Sequence, residues 1–536
     1  MSEESLFSYP GADPLTPAAA PELVIGIVAP VGARRDTLIA ILRKELREYQ
    51  YQTEHIKLSN LMSLAPGHEA LGSTSFIEPD RTHAYMDAGD KIREASKLGD
   101  ALAILAISEI KERRKNLNKG NPDKVLQEHQ HNAYIIDSLK HPDEVRTLRA
   151  VYGQGFLLIS GYSRRNQRVQ NLASKIAASR CNPQGVDQHK SDAEKTIQRD
   201  YNEEENPFGQ KVQRCFPMGD FFVDLDAPEG RQEEIVVRFL KIVFDNPFIT
   251  PRKDEAGMFH AEAASWRSSD LSRQVGAAIC TPDGDVLSVG CNEAPKAFGG
   301  LYWEGDDGDG RDFQRGRNDG NDQKRLIVAE IFDRLIERDN LGEFAESRLQ
   351  ALKELVVQGK EDPVLKDLQA LNVIEYGRTV HAEMAALCDA AARGVSVKGA
   401  TMYVNTFPCH ICARHIVAAG IKRLVYIEPY PKSLTGRLFD DSIVVEPQRD
   451  VGQQVAFEAF TGVAPRAYRF SFSMQSRRKD STGQPVRWNK TGATTKMKRY
   501  ITSYLAMENH VIANLLPRVR KAPGEHNENK SITGED

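Results

Sequence analysis

The chain reads His381-Ala382-Glu383-Met384 and, further on, Thr406-Phe407-Pro408-Cys409-His410-Ile411-Cys412. One imidazole and two thiols are ligands of the kind zinc takes. A zinc site with three protein ligands keeps its fourth tetrahedral position open for water. Two cysteines three apart at a helix start lie on one side of one turn, and the helix N-terminus favours their thiolate forms. Glu383, two residues from His381, reaches the same pocket without being forced to ligate, and is placed to take up and pass on a proton. A structural zinc is usually closed by a fourth protein ligand, for which Cys388, His410 and His415 are candidates. Cys388 lies two helical turns beyond His381, roughly 10 Å along the axis, out of reach of the same ion. His415 falls one turn past Cys412. A lone C-x-x-C is also a redox pattern. Its company with His-Ala-Glu makes a catalytic zinc the expectation, with His381, Cys409 and Cys412 as ligands and Glu383 as acid–base.

H-x-E…P-C-x-x-C is the signature of zinc-dependent nucleoside and nucleobase deaminases. The flanks extend the likeness. A helix is predicted around His260 to Ser268, and a strand over Asp270-Leu271-Ser272-Arg273-Gln274-Val275-Gly276-Ala277-Ala278-Ile279. Pro282-Asp283-Gly284 supplies a turn. Val286 to Cys291 returns as a strand ending in Asn292-Glu293-Ala294-Pro295. Thr401 to Val404 and Leu424 to Pro431 read as further strands. Residues of about 258–298 and 375–440 thus resemble the deoxycytidylate deaminase family, with β-β-α-β-α-β order and a three-layer α/β/α fold. The resemblance implies that Asn292 contacts the sugar or its neighbours. It implies phosphate or sugar contacts for Arg273 and Gln274, a pyrimidine-edge contact for the Ala382 backbone, and a place for Tyr430 beside the sugar. Each of these is also readable as scaffold: Gln274 in a turn, Tyr430 in a core. Lys296 and Lys432 are further phosphate candidates, or merely exposed. About 80 residues separate Asn292 from His381, more than a simple connection needs. They hold an acidic loop, Trp303 to Gly310, read as a solvated loop or a divalent-cation site, and two charged helices, about Asp322 to Asp339 and Gly342 to Gln358.

At 536 residues, two or three domains are expected. Hydrophobic residues make up 40% and charged residues 27%, with net charge −4, so the totals give no overall electrostatic case for nucleic-acid binding. Seven cysteines in so long a chain do not suggest a disulfide framework, and a reducing, cytoplasmic setting is expected. The first 21 residues read as a disordered leader without the features of a signal peptide. No apolar run is long enough to span a membrane.

Leu23 to Pro30, followed by Gly32 and a helical pattern from Arg34 to Tyr49, reads as the strand, turn and helix of a phosphate-binding unit. Against G-x-x-x-x-G-K-[ST], Gly26 and Gly32 stand one residue too far apart, Ala33 replaces lysine, and Arg34 replaces the hydroxyl residue. Arg34 or Arg35 stands nearby as a substitute charge, though a guanidinium is not a simple replacement for an ammonium. A nucleotide site on Gly26, Gly32 and Arg34 and a structural remnant both fit. Strands at Tyr51 to Leu58, Ala133 to Asp137 and Gly155 to Ser160 alternate with helices at Ala84 to Lys115, from His141, and at Tyr162 to Ser179. This predicts a mostly parallel sheet with helices on both faces. The piece YIIDSLKHPDEVRTLR resembles P-loop nucleotide kinases, with Asp137 either near phosphate or capping a turn. The expected divisions are a kinase-like domain over 22–248, a deaminase domain over 250–475, and a basic extension over 476–536. In that extension Arg477, Arg478, Lys479, Arg487, Lys490, Lys496, Lys498 and Arg499 stand among Trp488, Tyr500 and Tyr504. Such a stretch fits a nucleic-acid contact or a solvated tail with a docking helix.

The whole pattern is similar to bacterial anti-phage deoxycytidine nucleotide deaminases. The resemblance implies conversion of dCTP and dCMP to dUTP and dUMP, which depletes dCTP during phage infection. It also implies a homo-oligomer and restraint by an antagonist RNA or protein. The alternatives are an editing deaminase acting on RNA or single-stranded DNA, and a nucleotide-sensing or RNA-binding protein with an idle zinc fold.

Overall fold

The computed structural model describes residues 20–69, 71, 77–117, 131–203, 206–337, 342–358, 376–430, 433–447, 452–497 and 501–521, with backbone alone at 501–503. Most of the predicted leader, Lys432, Lys498, Arg499, Tyr500 and the last residues lie outside these. The chain forms two units, Met1–Glu255 with Ala459–Asp536, and Ala256–Glu458.

The first unit opens with β1 (Leu23–Val28), α1 (Arg35–Glu48) and β2 (Gln52–Lys57). Then come α2 (Asp80–Ser96), α3 (Ala101–Leu117), β3 (Asn132–Asp137), α4 (Pro142–Tyr152), β4 (Phe156–Tyr162), α5 (Arg165–Ser179), α6 (Lys190–Tyr201), β5 (Phe221–Asp224) and α7 (Glu229–Val243). The strands β5, β4, β1, β3 and β2 pair in parallel in that order. Every residue of β1 and β3 is buried, as strands covered on both faces must be. Leu23, Ile25 and Ile27 share a core with Leu38 and Leu42 of α1 and with Val236 and Leu240 of α7. The single helical span expected over 84–115 is two helices. Lys97, in the left-handed region at φ 54°, ends α2 before α3 begins.

The second unit takes over within α8 (Lys253–Ser265). It contains β6 (Gly276–Cys280), β7 (Val286–Cys291), α9 (Asp319–Ile336), α10 (Glu343–Val357), α11 (Ala382–Ala392), β8 (Thr401–Thr406), α12 (His410–Ala418), β9 (Arg423–Glu428), β10 (Ile443–Val445) and β11 (Val455–Ala459). Its sheet runs β10–β11–β9–β8–β6–β7, with β6 antiparallel to β7 and β8, and β8 parallel to β9. The β-β-α-β-α-β order is present. The strand expected from Asp270 starts only at Gly276, because side chains rather than a ladder hold residues 270–275. The two helices of the insertion pack on each other through Val328, Phe332, Leu352 and Val356. The chain returns from the insertion by an antiparallel bridge between Glu293 and Val380, and Thr379, His381 and Asn292 line one pocket.

The expected boundaries at 475 and 476 differ from the structure, in which the chain rejoins the first unit at Ala459. There β12 (Gly462–Val463) pairs antiparallel with β5, completing a six-stranded sheet, and α13 (Pro465–Phe472) follows. The Val463 amide donates to Glu255 at 2.9 Å. The Trp488 indole donates to the Phe244 carbonyl, Lys490 pairs with Glu45 at 2.8 Å, and buried Lys496 donates to the Ser471 and Ser473 carbonyls. α14 (Ile501–Asn514) brings Glu508 to Arg114, whose guanidinium lies 2.7 Å from both Glu508 and Glu22. Composition marked this segment as polar and basic; its apolar and charged side chains nevertheless complete the first unit's interior.

Arg114→Met would leave two buried carboxylates without their cation. Breaking a buried ion pair from one side costs about 3–5 kcal/mol. A matching loss in urea-denaturation stability of the first unit is expected; an unchanged midpoint would mean that α14 is not held there.

Candidate zinc centre and its pocket

Two helix starts converge. His381 is the residue immediately before α11, Cys409 the one before α12, and Cys412 lies in the first turn of α12. Gly290 of β7 makes the first placement. A Cβ there would stand 2.4 Å from both the Ala382 carbonyl oxygen and the Ala386 nitrogen, so α11 lies directly on the strand. The His381 Nδ1 is 3.4 Å from the Cys409 Sγ and 3.3 Å from the Cys412 Sγ. The three donor atoms lie within 4.8 Å of one another. Among the described residues this is the one group suited to a metal, and Cys388, His410 and His415 are not part of it. One imidazole and two buried thiols with no fourth protein donor fit a zinc ion that keeps an open position. A hydrogen bond from Cys412, reinforced by His381, holds the Cys409 thiol well below the ordinary thiol range, favouring the thiolate form that zinc takes. Burial, then the Cys409 charge, raises the Glu383 carboxyl above the ordinary glutamate range.

His381, Glu383 and Cys409 open onto a pocket of about 250 Å³. Of the expected contacts, Arg273, Asn292, Ala382 and Tyr430 line it. The Arg273 guanidinium stands 5.3 Å from the centre of the Tyr430 ring. Asn292 accepts from the Val275 amide at 2.7 Å and donates to the Arg273 carbonyl at 2.8 Å, so it shapes the loop carrying Arg273. Gln274 is not a lining residue; its amide donates to the Ser268 carbonyl at 2.8 Å, the turn role. Asp270, Ser272, Thr379, Thr406 and Phe407 also line the pocket and were not anticipated. Asp270 accepts from the Ser272 amide at 2.9 Å and from the Thr379 hydroxyl at 2.8 Å. Asp-x-Ser is the one visible signal among them, since aspartate caps such turns. Lys296 pairs with Asp306 at 2.8 Å, and Asp309 with Arg311 at 2.6 Å. Two of the acidic loop's carboxylates are thus paired with flanking cations, and Lys296 has a carboxylate partner.

In the first unit, a Cβ on Gly26 would meet Leu139 and Phe156 side chains at 2.7 and 2.8 Å, so this glycine serves packing. Gly32 has φ +85°, the conformation its turn requires. Arg34 lines a separate pocket with Thr37, Gln167 and Asp226. Arg35, not Arg34, meets Asp137, at 2.6 Å. Burial would raise the Asp137 carboxyl, but His55 and Arg35 outweigh it and hold the group at about 2.

Residues 251–428 match the family model described as the cytidine and deoxycytidylate deaminase zinc-binding region. This segment is similar to that family's zinc-binding region. The deoxycytidylate deaminase of Enterobacteria phage T2 is 51% identical over 57 residues, 11% of this chain and 30% of the phage protein. ComE operon protein 2 of Bacillus subtilis (strain 168) is 35% identical over 79 residues, 15% of this chain and 42% of that protein. The human deoxycytidylate deaminase is 40% identical over 53 residues, 10% and 29% of the respective chains. The chain thus spans about a third of the length of these relatives. The solved dCMP deaminase of cyanophage S-TIM5 aligns with 40% of this chain and 100% of its own, at 16% identity and a TM-score of 0.21.

Purified protein is expected to carry one zinc per chain by elemental analysis. Cys412→Ser should lose most of it, and Glu383→Gln should retain it. Loss of zinc from Glu383→Gln would make Glu383 a ligand.

Proposed function

We propose that the deaminase domain hydrolyses the exocyclic amine of deoxycytidine nucleotides, turning dCMP and dCTP plus water into dUMP and dUTP plus ammonia. The carrying observation is a buried carboxylate, Glu383, beside a three-donor group with no fourth protein ligand, in one open pocket. Zinc held by His381, Cys409 and Cys412 supplies the acidity that makes water a nucleophile at neutral pH. Glu383 takes one proton of the attacking water and delivers it to ring N3, then takes the proton of the resulting C4 hydroxyl and gives it to the amine, so that ammonia leaves as the C4 carbonyl forms. Burial suits it to this work, because a carboxyl raised toward neutrality both accepts and returns a proton. The Ala382 backbone faces the pyrimidine edge. Arg273, at the pocket lining over Tyr430, is the phosphate contact, and Asn292 fixes its loop. Editing of a polynucleotide has less support, because Trp488, Lys490 and Lys496 of the basic stretch are engaged within the first unit. Depletion of the dCTP pool against phage replication is the setting we infer for this chemistry. No helix among the described residues is long and apolar enough to cross a membrane.

Ammonia release measured against dCTP, dCMP, CTP, deoxycytidine and a cytosine-containing single strand tests the reading. Turnover of dCMP or dCTP, absent in Glu383→Gln, is the expected result; turnover of the strand alone would overturn it. Arg273→Ala should raise KM for the nucleotides about 10- to 100-fold, the loss of a charge-assisted contact, with little change for deoxycytidine. Equal losses on nucleotide and nucleoside would remove Arg273 from the phosphate.

A further inference from the structure

The first unit has the strand, glycine turn and helix of an anion-binding βα unit, yet no lysine stands in the turn. The structure brings one from elsewhere. Lys140, three residues beyond β3, reaches back to the turn, and its ammonium donates to the Ala29 carbonyl at 2.9 Å. Opposite it stands Asp200 of α6, 1% exposed. One carboxylate oxygen accepts from the Val31 amide at 2.7 Å, and the other lies 2.7 Å from the Lys140 ammonium. A backbone amide of a glycine turn plus a lysine ammonium is the donor set that holds a phosphate oxygen. Here a carboxylate of the chain itself holds it. The neighbouring charges are matched as well: Arg35, whose charge also bears on Asp200, is paired with Asp137. The plug is fastened rather than loose. Arg199, next in the chain, pairs with Asp87 at 2.7 Å and Asp90 at 3.0 Å, and Asn171 of α5 donates to the Gly32 carbonyl at 3.0 Å. The Arg168 carbonyl oxygen stands 2.6 Å from where a Gly32 Cβ would be, so α5 closes over the turn.

We propose that Asp200 is a built-in phosphate surrogate: it occupies an anion site made by the Val31 amide and Lys140, and so closes the first unit to phosphate-bearing ligands. A phosphate at contact distance from the Asp200 carboxylate is repelled by it, which opposes both anions sharing this ammonium and amide. A phosphate therefore enters only where the Asp200 charge is removed or displaced.

The test uses the full chain as wild type, Asp200→Ala, Asp200→Asn and Asp200→Ala with Lys140→Met. The probes are orthophosphate and tripolyphosphate, with chloride at equal ionic strength as control. Binding is read by equilibrium dialysis with labelled phosphate and by the thermal midpoint. Wild type should bind neither probe at this site. Asp200→Ala should gain one site per chain, at least about tenfold tighter than wild type, with a rise in midpoint on adding phosphate. The double variant should lose that gain. Preference for tripolyphosphate would assign the site to the polyphosphate end of a nucleotide, and equal binding to a single phosphate group. Asp200→Asn keeps the side-chain shape and removes the charge, so it carries the test if the alanine variant does not fold. Phosphate binding by wild type as tight as by Asp200→Ala would overturn the proposal. So would a folded Asp200→Asn that gains no phosphate binding.

Discussion

The second unit depends on one close approach, the seating of α11 on β7 at Gly290. The helix backbone lies where a side chain would otherwise be. That contact fixes the start of α11, and with it His381 and Glu383. The sheet fixes the other half. β8 leads directly to Cys409, and the turn that starts α12 folds the Cys409 Sγ back onto the Cys412 amide. The donor set is thus assembled by a strand–helix contact and a strand–helix turn, both rigid, rather than by a loop.

The substrate side is built differently. Residues 270–275 form no ladder; Asn292, Asp270 and Gln274 hold them through side-chain bonds to backbone. Glu293, buried, adds the Ser269 amide and hydroxyl. The insertion leaves after this turn and returns through the Glu293–Val380 bridge, so Thr379 enters the pocket beside Asp270. A long excursion therefore costs the site nothing in geometry, because both of its ends are tied to the same two residues.

The first unit matches its buried charges from within the chain. Asp137 is matched by Arg35, Lys140 by Asp200, and Arg114 by two glutamates. Buried ions require partners, and here the chain supplies them from segments far apart in sequence. The last of these comes from α14, which is why the C-terminal residues belong to this unit rather than forming a separate tail.

The sequence alone determined the three candidate metal donors, the glutamate beside them, the order of elements around them and the parallel character of the first sheet. These are local: a C-x-x-C at a helix start, a histidine two residues from a glutamate, and apolar runs dense enough to be buried on both faces. Tertiary structure alone decided which imidazole nitrogen faces the thiols, that Gln274 braces a turn while Asp270 and Thr379 line the pocket, and that the lysine beside the glycine turn is Lys140. It also decided that Trp488 and Lys490 lie inside the first unit. The reason is common to all of them. Composition and spacing report which side chains prefer burial or charge, whereas the partner that satisfies each one is chosen by whichever distant segment the packed sheets and helices bring within about 3 Å.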